Sequence, residues 1–442
     1  MSAFAGCDAP LRGNPESWLP GTPFPVLDLP APHPASDCPF YQAAWQTFLH
    51  VSQPGADGEP AFLSYPGIGE LFDPAGEETD HLDLSVKVAE EDGTAVLPEI
   101  GSGVEQAGLG GLLIDGNGRP IYYAIHLNDR FAEFVRRNGL TTPAAVLGAD
   151  PSLAFDEPGI IELKSAWRIL APGEDRSSYF WKRATVPHLV ASDRGVVPDP
   201  SGLCETVDVA LVALHVVFTM EGHPEFIWST FEHVDREKRP DSAPEADANP
   251  EATDPGYVAD ASRSWLLYRA GATAAHSNLG ALRTADELAA AFDEASQSFT
   301  RNGGATTPIY REYPASKMTT TTPDEDLELL NASVWSRFLP EDSGDMRQHY
   351  RLVGATWLDR PDRDFAAGRE FVNAPGQSSD EGPVAGEDAL SSLAMESFTQ
   401  STYHNCFSCH DTQLVVTADG GELEAKAINV SRVFSRFLSG HN

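Results

Sequence analysis

The chain has 442 residues, 41% of them hydrophobic. That suffices for two or three domains, or for one large domain with an appendage. The formal charge is −36, and only six of the thirty basic residues are Lys. A field of that sign argues against nucleic acid and anionic membrane surfaces as partners; it suits a cationic redox partner, or solubility in a salty medium. No apolar run approaches the ~18 residues that a membrane span needs.

Residues 1–40 are rich in Pro and Gly and read as an extended arm. Met1 to Pro20 has neither a basic start nor an apolar core, so an export signal, if used, has been removed. Phe4-Ala5-Gly6-Cys7 resembles the end of a lipoprotein signal, which makes a lipid anchor at Cys7 one expectation. A short amphipathic helix follows over Tyr41 to Val51, with Trp45, Phe48 and Leu49 on its buried face. Together residues 1–80 form an N-terminal arm with a short helix.

From about 81 to 235 the pattern is that of a β-rich body. Leu82 to Val88 alternates. Gly111 to Asp115 and Pro120 to Ile125 flank the hairpin signal Gly116-Asn117-Gly118-Arg119. Asn128 caps a helix through Arg137. Ile160 to Leu170 reads as a strand with Ile161, Leu163, Ser165 and Trp167 on one face and Glu162, Lys164, Ala166 and Arg168 on the other. A strand over Tyr179 to Val186 follows. Val207 to Met220, almost wholly apolar, reads as central in a sheet, and Glu225 to Val234 returns beside it. An even register sum between these two puts His215 and His233 on a shared face; a one-residue slip puts His215 beside Thr230 and Glu232 instead.

Residues 236–262, rich in Asp, Glu, Pro and Ala, form an acidic linker or loop. From 263 to 442 the period is mainly helical. Capping boxes at Thr284-Ala285-Asp286-Glu287 and Thr322-Pro323-Asp324-Glu325 open helices to about Thr300 and to Phe338. Tyr350 to Trp357 reads as a returning strand, 374–387 as a loop, Asp388 to Thr402 as a helix, and Val430 to Leu438 as a short amphipathic segment. The expected fold class is therefore α+β, a β-rich body with a helical C-terminal region.

That region carries Cys406-Phe407-Ser408-Cys409-His410, a C-x-x-C-H run. With 5 Cys and 13 His in the chain, chance gives on the order of 10⁻³ such runs. Two thiols so spaced can form thioethers to one porphyrin, and the adjoining His becomes the proximal iron ligand. The expectation is one covalently attached haem c per chain, bound by Cys406, Cys409 and His410, with His410 on the metal. Zinc would require further ligands at zinc spacing, and a dithiol redox pair would require a thioredoxin-type setting; neither is present. Haem attachment of this kind implies a periplasmic or extracellular location. Cys7, Cys38 and Cys204 remain, an odd number, so at most one disulfide forms among them. Cys38–Cys204 with Cys7 lipidated is one solution, and Cys7–Cys38 is another.

No Met follows His410, and 32 residues remain after it. The late placement resembles that of cytochrome c′ and of relatives whose haem is cross-linked to a lysine; it implies an open or weakly held sixth position. The distal side must then come from upstream. Glu162, Arg168, His215 and His233 are the candidates for proton handling. Arg168 could alternatively hold a propionate, Lys164 could ligate or cross-link, and Met220 and Met395 are possible sulfur ligands.

Four segments together, Trp45 to Phe48, Glu162 to Arg168, His223 to Asp235 and Asn405 to His410, resemble a group of large bacterial single-haem c-type cytochrome-like proteins. The resemblance runs patchily from about residue 40 to 412. It implies haem and export and supplies no substrate. The expected activity is that of an exported haem oxidoreductase using peroxide or O2 on a small organic substrate. The alternative is an electron-transfer or gas-binding cytochrome with an enlarged scaffold.

Overall fold

The computed structural model describes Cys7 and residues 37–55, 58–72, 82–83, 112–193, 195–234, 258, 261–262, 265–268, 270–271, 285–299, 325–372, 382–387, 390, 392–396, 405–417 and 420–439. Most of the arm, most of the acidic linker, both capping-box starts, His404, His441 and the strand beyond Asp83 lie outside these residues.

In chain order the elements are α1 (Cys38–Val51), α2 (Ile68–Phe72), β1 (Leu82–Asp83), β2 (Ile121–Leu127), α3 (Asp129–Arg137), α4 (Pro143–Leu147), β3 (Ile161–Ile169), β4 (Trp181–Pro187), β5 (Leu189–Ser192), β6 (Gly195–Pro198), β7 (Cys204–Met220) and β8 (His223–His233). There follow α5 (Ala285–Ala291), β9 (Phe292–Asp293), β10 (Ser298–Phe299), α6 (Glu325–Phe338), β11 (Tyr350–Leu358), α7 (Pro361–Asp364), β12 (Val384–Gly386), β13 (Val415–Val416), β14 (Glu422–Leu423) and α8 (Val433–Ser439). Helices beside one large, mostly antiparallel sheet make the fold α+β. Among the described residues no helix is long and apolar enough to cross a membrane.

β7 is the spine of an eight-stranded sheet. Its residues 209–218 pair with β3 along one edge. Along the other edge, β4 pairs with residues 204–210 and β8 with 213–220, end to end. β2 extends the sheet beyond β3, and β11 and β12 extend it beyond β8. The C-terminal region therefore adds β11 to the body's sheet as well as helices.

The two faces of the sheet are covered differently. On one, α1 packs Trp45 and Phe48 against Phe231, with ring centroids 5.0 and 4.2 Å apart. There Asn331 of α6 accepts from the Trp45 indole at 2.9 Å and donates to the Leu352 carbonyl at 2.9 Å. This buried amide ties α1, α6 and β11 together, with each polar group satisfied. The other face is covered by residues 392–396, the C-x-x-C-H turn and the C-terminal segment.

The β7–β8 hairpin fixes which side chains meet. Met220 pairs with His223 across the two-residue turn Glu221-Gly222, where Gly222 takes φ +79°. A two-residue loop gives an odd register sum. The bulge that follows, with Phe226 at φ +68°, adds two residues to β8 and preserves that parity. His215 consequently lies opposite Thr230. The shared face for His215 and His233 is not formed, and the two project to opposite sides of the sheet.

One expected helix ends earlier than its periodicity suggests, and another is a turn where it is described. α5 stops at Ala291, because the Asp293 carboxylate accepts from the Ala295 N–H and the Ser296 hydroxyl, a turn that competes with the helix. Within the expected helix 388–402, the described residues Leu393–Glu396 form a turn. The Leu393 N–H there goes to the Glu232 carboxylate and the Ser392 N–H to Glu396. Cys7 is buried and disulfide-bonded to Cys38. That takes up the thiol a lipid anchor would need, and leaves the exposed Cys204 outside this disulfide.

Candidate haem-attachment site

The C-x-x-C-H segment forms a short 3₁₀ turn over Cys406–Ser408. The Asn405 side chain caps it by accepting from the Phe407 N–H at 3.1 Å. Phe407 is the anchor: it is fully buried, edge-on to Phe371 at 5.7 Å and to Trp228 at 6.3 Å. Cys406 packs on Val353 and Leu390, and Cys409 is exposed. Neither thiol is in a disulfide.

His410 is held on two sides. Its Nδ1 lies 2.9 Å from the Val430 carbonyl. A carbonyl oxygen only accepts, so Nδ1 carries the proton and Nε2 bears the lone pair. Nε2 makes no hydrogen bond to any described residue. The Trp228 ring lies over the imidazole at 4.1 Å, tilted 40°. Burial, and then the Arg432 guanidinium, push the His410 pKa down to about 3, so the ring is neutral at ordinary pH. A neutral imidazole with one nitrogen fixed by a carbonyl and the other bare is the form that ligates a metal. Together with two free thiols at this spacing, the donor set fits a covalently attached haem.

The C-terminal segment straps this turn to the sheet. Besides the Val430 contact, the Arg432 guanidinium donates to the Cys409 carbonyl and reaches Asp411 at 3.4 Å. The Ser431 hydroxyl donates to Glu162 at 2.7 Å. Arg436 of α8 lies in the field of the same carboxylate. Nothing in the periodicity of 430–438 marks these roles; they arise because the chain folds back onto β3.

On the sheet beneath, Glu162, Lys164, Ala166 and Arg168 share a face, and Lys164 sits in register with His215. Glu396 from the 392–396 turn completes a cluster. Its carboxylate is 3.0 Å from His215 Nε2 and 3.7 Å from Lys164 Nζ. Burial pushes Glu396 up, but His215, Lys164 and the Ser392 N–H outweigh it and hold the carboxyl at about 2. Burial also lowers the Lys164 ammonium, against the pull of Glu396. Since the ionised carboxylate only accepts, His215 Nε2 carries a proton. Nδ1, 2.9 Å from the Thr230 hydroxyl, accepts from it in the neutral ring and donates to it in the charged one. The cluster's charge also reaches the motif: burial and then Glu396 raise the Cys406 thiol, and Lys164 opposes them.

Two sequence candidates lie elsewhere. Arg168 is buried in a bridge to Asp115 (3.3 Å) and Glu174 (3.2 Å) at the far end of β3. Six residues of strand, about 20 Å, separate it from Glu162. His233 lies on the opposite face, stacked on Tyr179 at 3.9 Å and bonded to the Ser178 carbonyl at 3.0 Å. Met220 and Met395 are both buried in apolar clusters. The sequence reading missed Glu396, which lies in a segment of helical period, and Arg432 and Arg436. Among the described residues no three His, Cys, Asp or Glu side chains form a metal-holding group.

Glu162 has a testable signature. Burial raises its pKa above the ordinary 4.5, against the pull of Ser431, Arg436, Lys164 and His215. For a carboxyl raised on folding, stability is fully present below the unfolded pKa and falls as pH rises through the folded one. Glu162→Gln keeps an acceptor for Ser431. It should flatten the decline in denaturant midpoint as pH rises above the ordinary carboxyl range and raise stability at neutral pH.

No protein-family model, no curated protein and no solved structure matches the chain.

Proposed function

We propose that this chain is an exported c-type haem protein, and that it acts as an oxidoreductase using peroxide or O2 on a small organic substrate. The observation that carries the reading is the state of His410. Inside a C-x-x-C-H turn, its Nδ1–H is given to the Val430 carbonyl and its Nε2 is left bare. Cys406 and Cys409 would hold the haem covalently and His410 would bind its iron. The haem would supply the redox-active iron. The chain's own residues supply proton handling: His215, held between the Glu396 carboxylate and the Thr230 hydroxyl, is the proton-carrying group, and Lys164 sets the charge around it. The Cys7–Cys38 disulfide supports an oxidising compartment. The size of the scaffold for a single haem favours a substrate chamber over a plain carrier.

The optical spectrum of the oxidised, haem-loaded chain tests the reading. A high-spin or water-ligated iron that reacts quickly with peroxide is expected. A low-spin iron with two strong protein ligands, inert to peroxide, would sink the enzyme and leave the electron-transfer or gas-binding cytochrome.

A further inference from the structure

We propose that Trp228 is an electron donor to this site and holds one oxidising equivalent as an indole radical cation when peroxide is reduced. The inference rests on the haem reading above. Trp228 is 4% exposed, and its ring lies 4.1 Å from that of His410, the residue bonded to the iron in that reading. Ring contact with an axial ligand gives short-range electronic coupling to the metal. β8 fixes this placement: Trp228 pairs with Val217 and Thr356, which puts it on the face that carries Glu162, Lys164 and His215.

The surroundings suit a cation. The indole Nε1–H donates to the Glu225 carbonyl at 2.9 Å, so the negative end of a peptide dipole faces it. A carbonyl is no base at neutral pH, and the oxidised indole therefore keeps its proton. The Glu225 carboxylate is itself fully buried. Its Oε1 accepts from His223 at 2.8 Å and from the Leu358 N–H at 3.1 Å, and its Oε2 has no hydrogen-bond partner among the described residues.

The rival on this face is Tyr123, and it is less suited. A phenol loses its proton when it is oxidised, but the Tyr123 hydroxyl donates at 2.6 Å to the Ala394 carbonyl, which cannot take that proton. The Lys164 ammonium also lies 5.4 Å over its ring and opposes added positive charge.

Hydrogen peroxide takes two electrons and two solvent protons, its O–O bond breaks, and two water molecules form. The Trp228 indole gives one of the two electrons and becomes the radical cation, and a bound haem would supply the other.

Rapid freeze-quench electron paramagnetic resonance of the oxidised, haem-loaded chain mixed with hydrogen peroxide tests this. Unlabelled protein, protein grown with ring-deuterated tryptophan, and Trp228→Phe are compared. The expected result is an organic radical whose hyperfine structure collapses on tryptophan deuteration. Its yield should fall at least tenfold in Trp228→Phe compared at equal haem loading. A radical that responds to deuterated tyrosine instead, one that persists in Trp228→Phe, or none in the loaded wild type would overturn the proposal. Should Trp228→Phe not load haem, the labelled wild type decides by itself. An unmodified chain mass removes the haem reading and this inference together; loaded haem without a tryptophan radical removes only this inference.

Discussion

Replacing His410 by Gly is expected, on the proposed haem reading, to leave haem attached through Cys406 and Cys409 but to strip the iron of its nitrogen ligand. Loss of an outer-shell partner of a metal ligand typically costs about 10–100-fold in affinity or activity, and loss of the ligand itself should cost more. The deletion leaves a slot the size of the lost ring, walled by Trp228 and lined by the Val430 carbonyl. Free imidazole can enter it, donate one N–H to that carbonyl and offer its other nitrogen to the iron. The oxidised spectrum of His410→Gly should therefore change and recover with millimolar imidazole, but not with an equal concentration of pyrrole, which has no second nitrogen. A variant whose spectrum matches the wild type without rescue would place the axial ligand elsewhere.

Arg168→Met should be the most destabilising single change at the far end of the same strand, and it should leave the haem spectrum alone. The Arg168 and Asp115 side chains are 2% and 0% exposed. Asp115 closes the 115–119 turn by accepting from the N–H groups of Asn117 and Arg119, both at 2.9 Å. Removing one partner of a buried pair strands the other charge and typically costs about 3–5 kcal/mol. Burial already pushes Asp115 up, and the Arg168 guanidinium is the largest opposing influence. Without it the folded pKa rises further. Stability is then retained below the unfolded pKa of ~3.9 and lost as pH rises through the folded one. The destabilisation should be small near pH 4 and full at neutral pH, read as the denaturant midpoint of each protein. A wild-type midpoint combined with lost peroxide reactivity would instead return Arg168 to the site.

Much of the scaffold was legible because its signals are local. The apolar run from Val207 to Met220 became the central strand, Asn128 caps α3 by accepting from the Phe131 N–H, and the split faces of β3 formed as its alternation implies. The site was legible only at its C-x-x-C-H turn. Cys406, Cys409 and His410 announce themselves by spacing, whereas their supports come from sequence-distant contacts. Glu396 and His215 are 181 residues apart, and Ser431 and Glu162 are 269 apart. Register set the limit for His233: apolar alternation in β7 and β8 fits either parity, and the two-residue turn at Glu221-Gly222 decides it. The short α5 shows the same limit, since its capping box marks a start while the Asp293 side chain sets the stop.

The account depends most directly on the chemistry of Cys406 and Cys409. Intact mass and peptide mapping, on chain produced in a host that matures c-type cytochromes, test it. The predicted result is one added haem per chain, located on the peptide containing Cys406 to His410 and lost when both cysteines are changed to Ser. An unmodified mass, with both thiols open to alkylation, would contradict it.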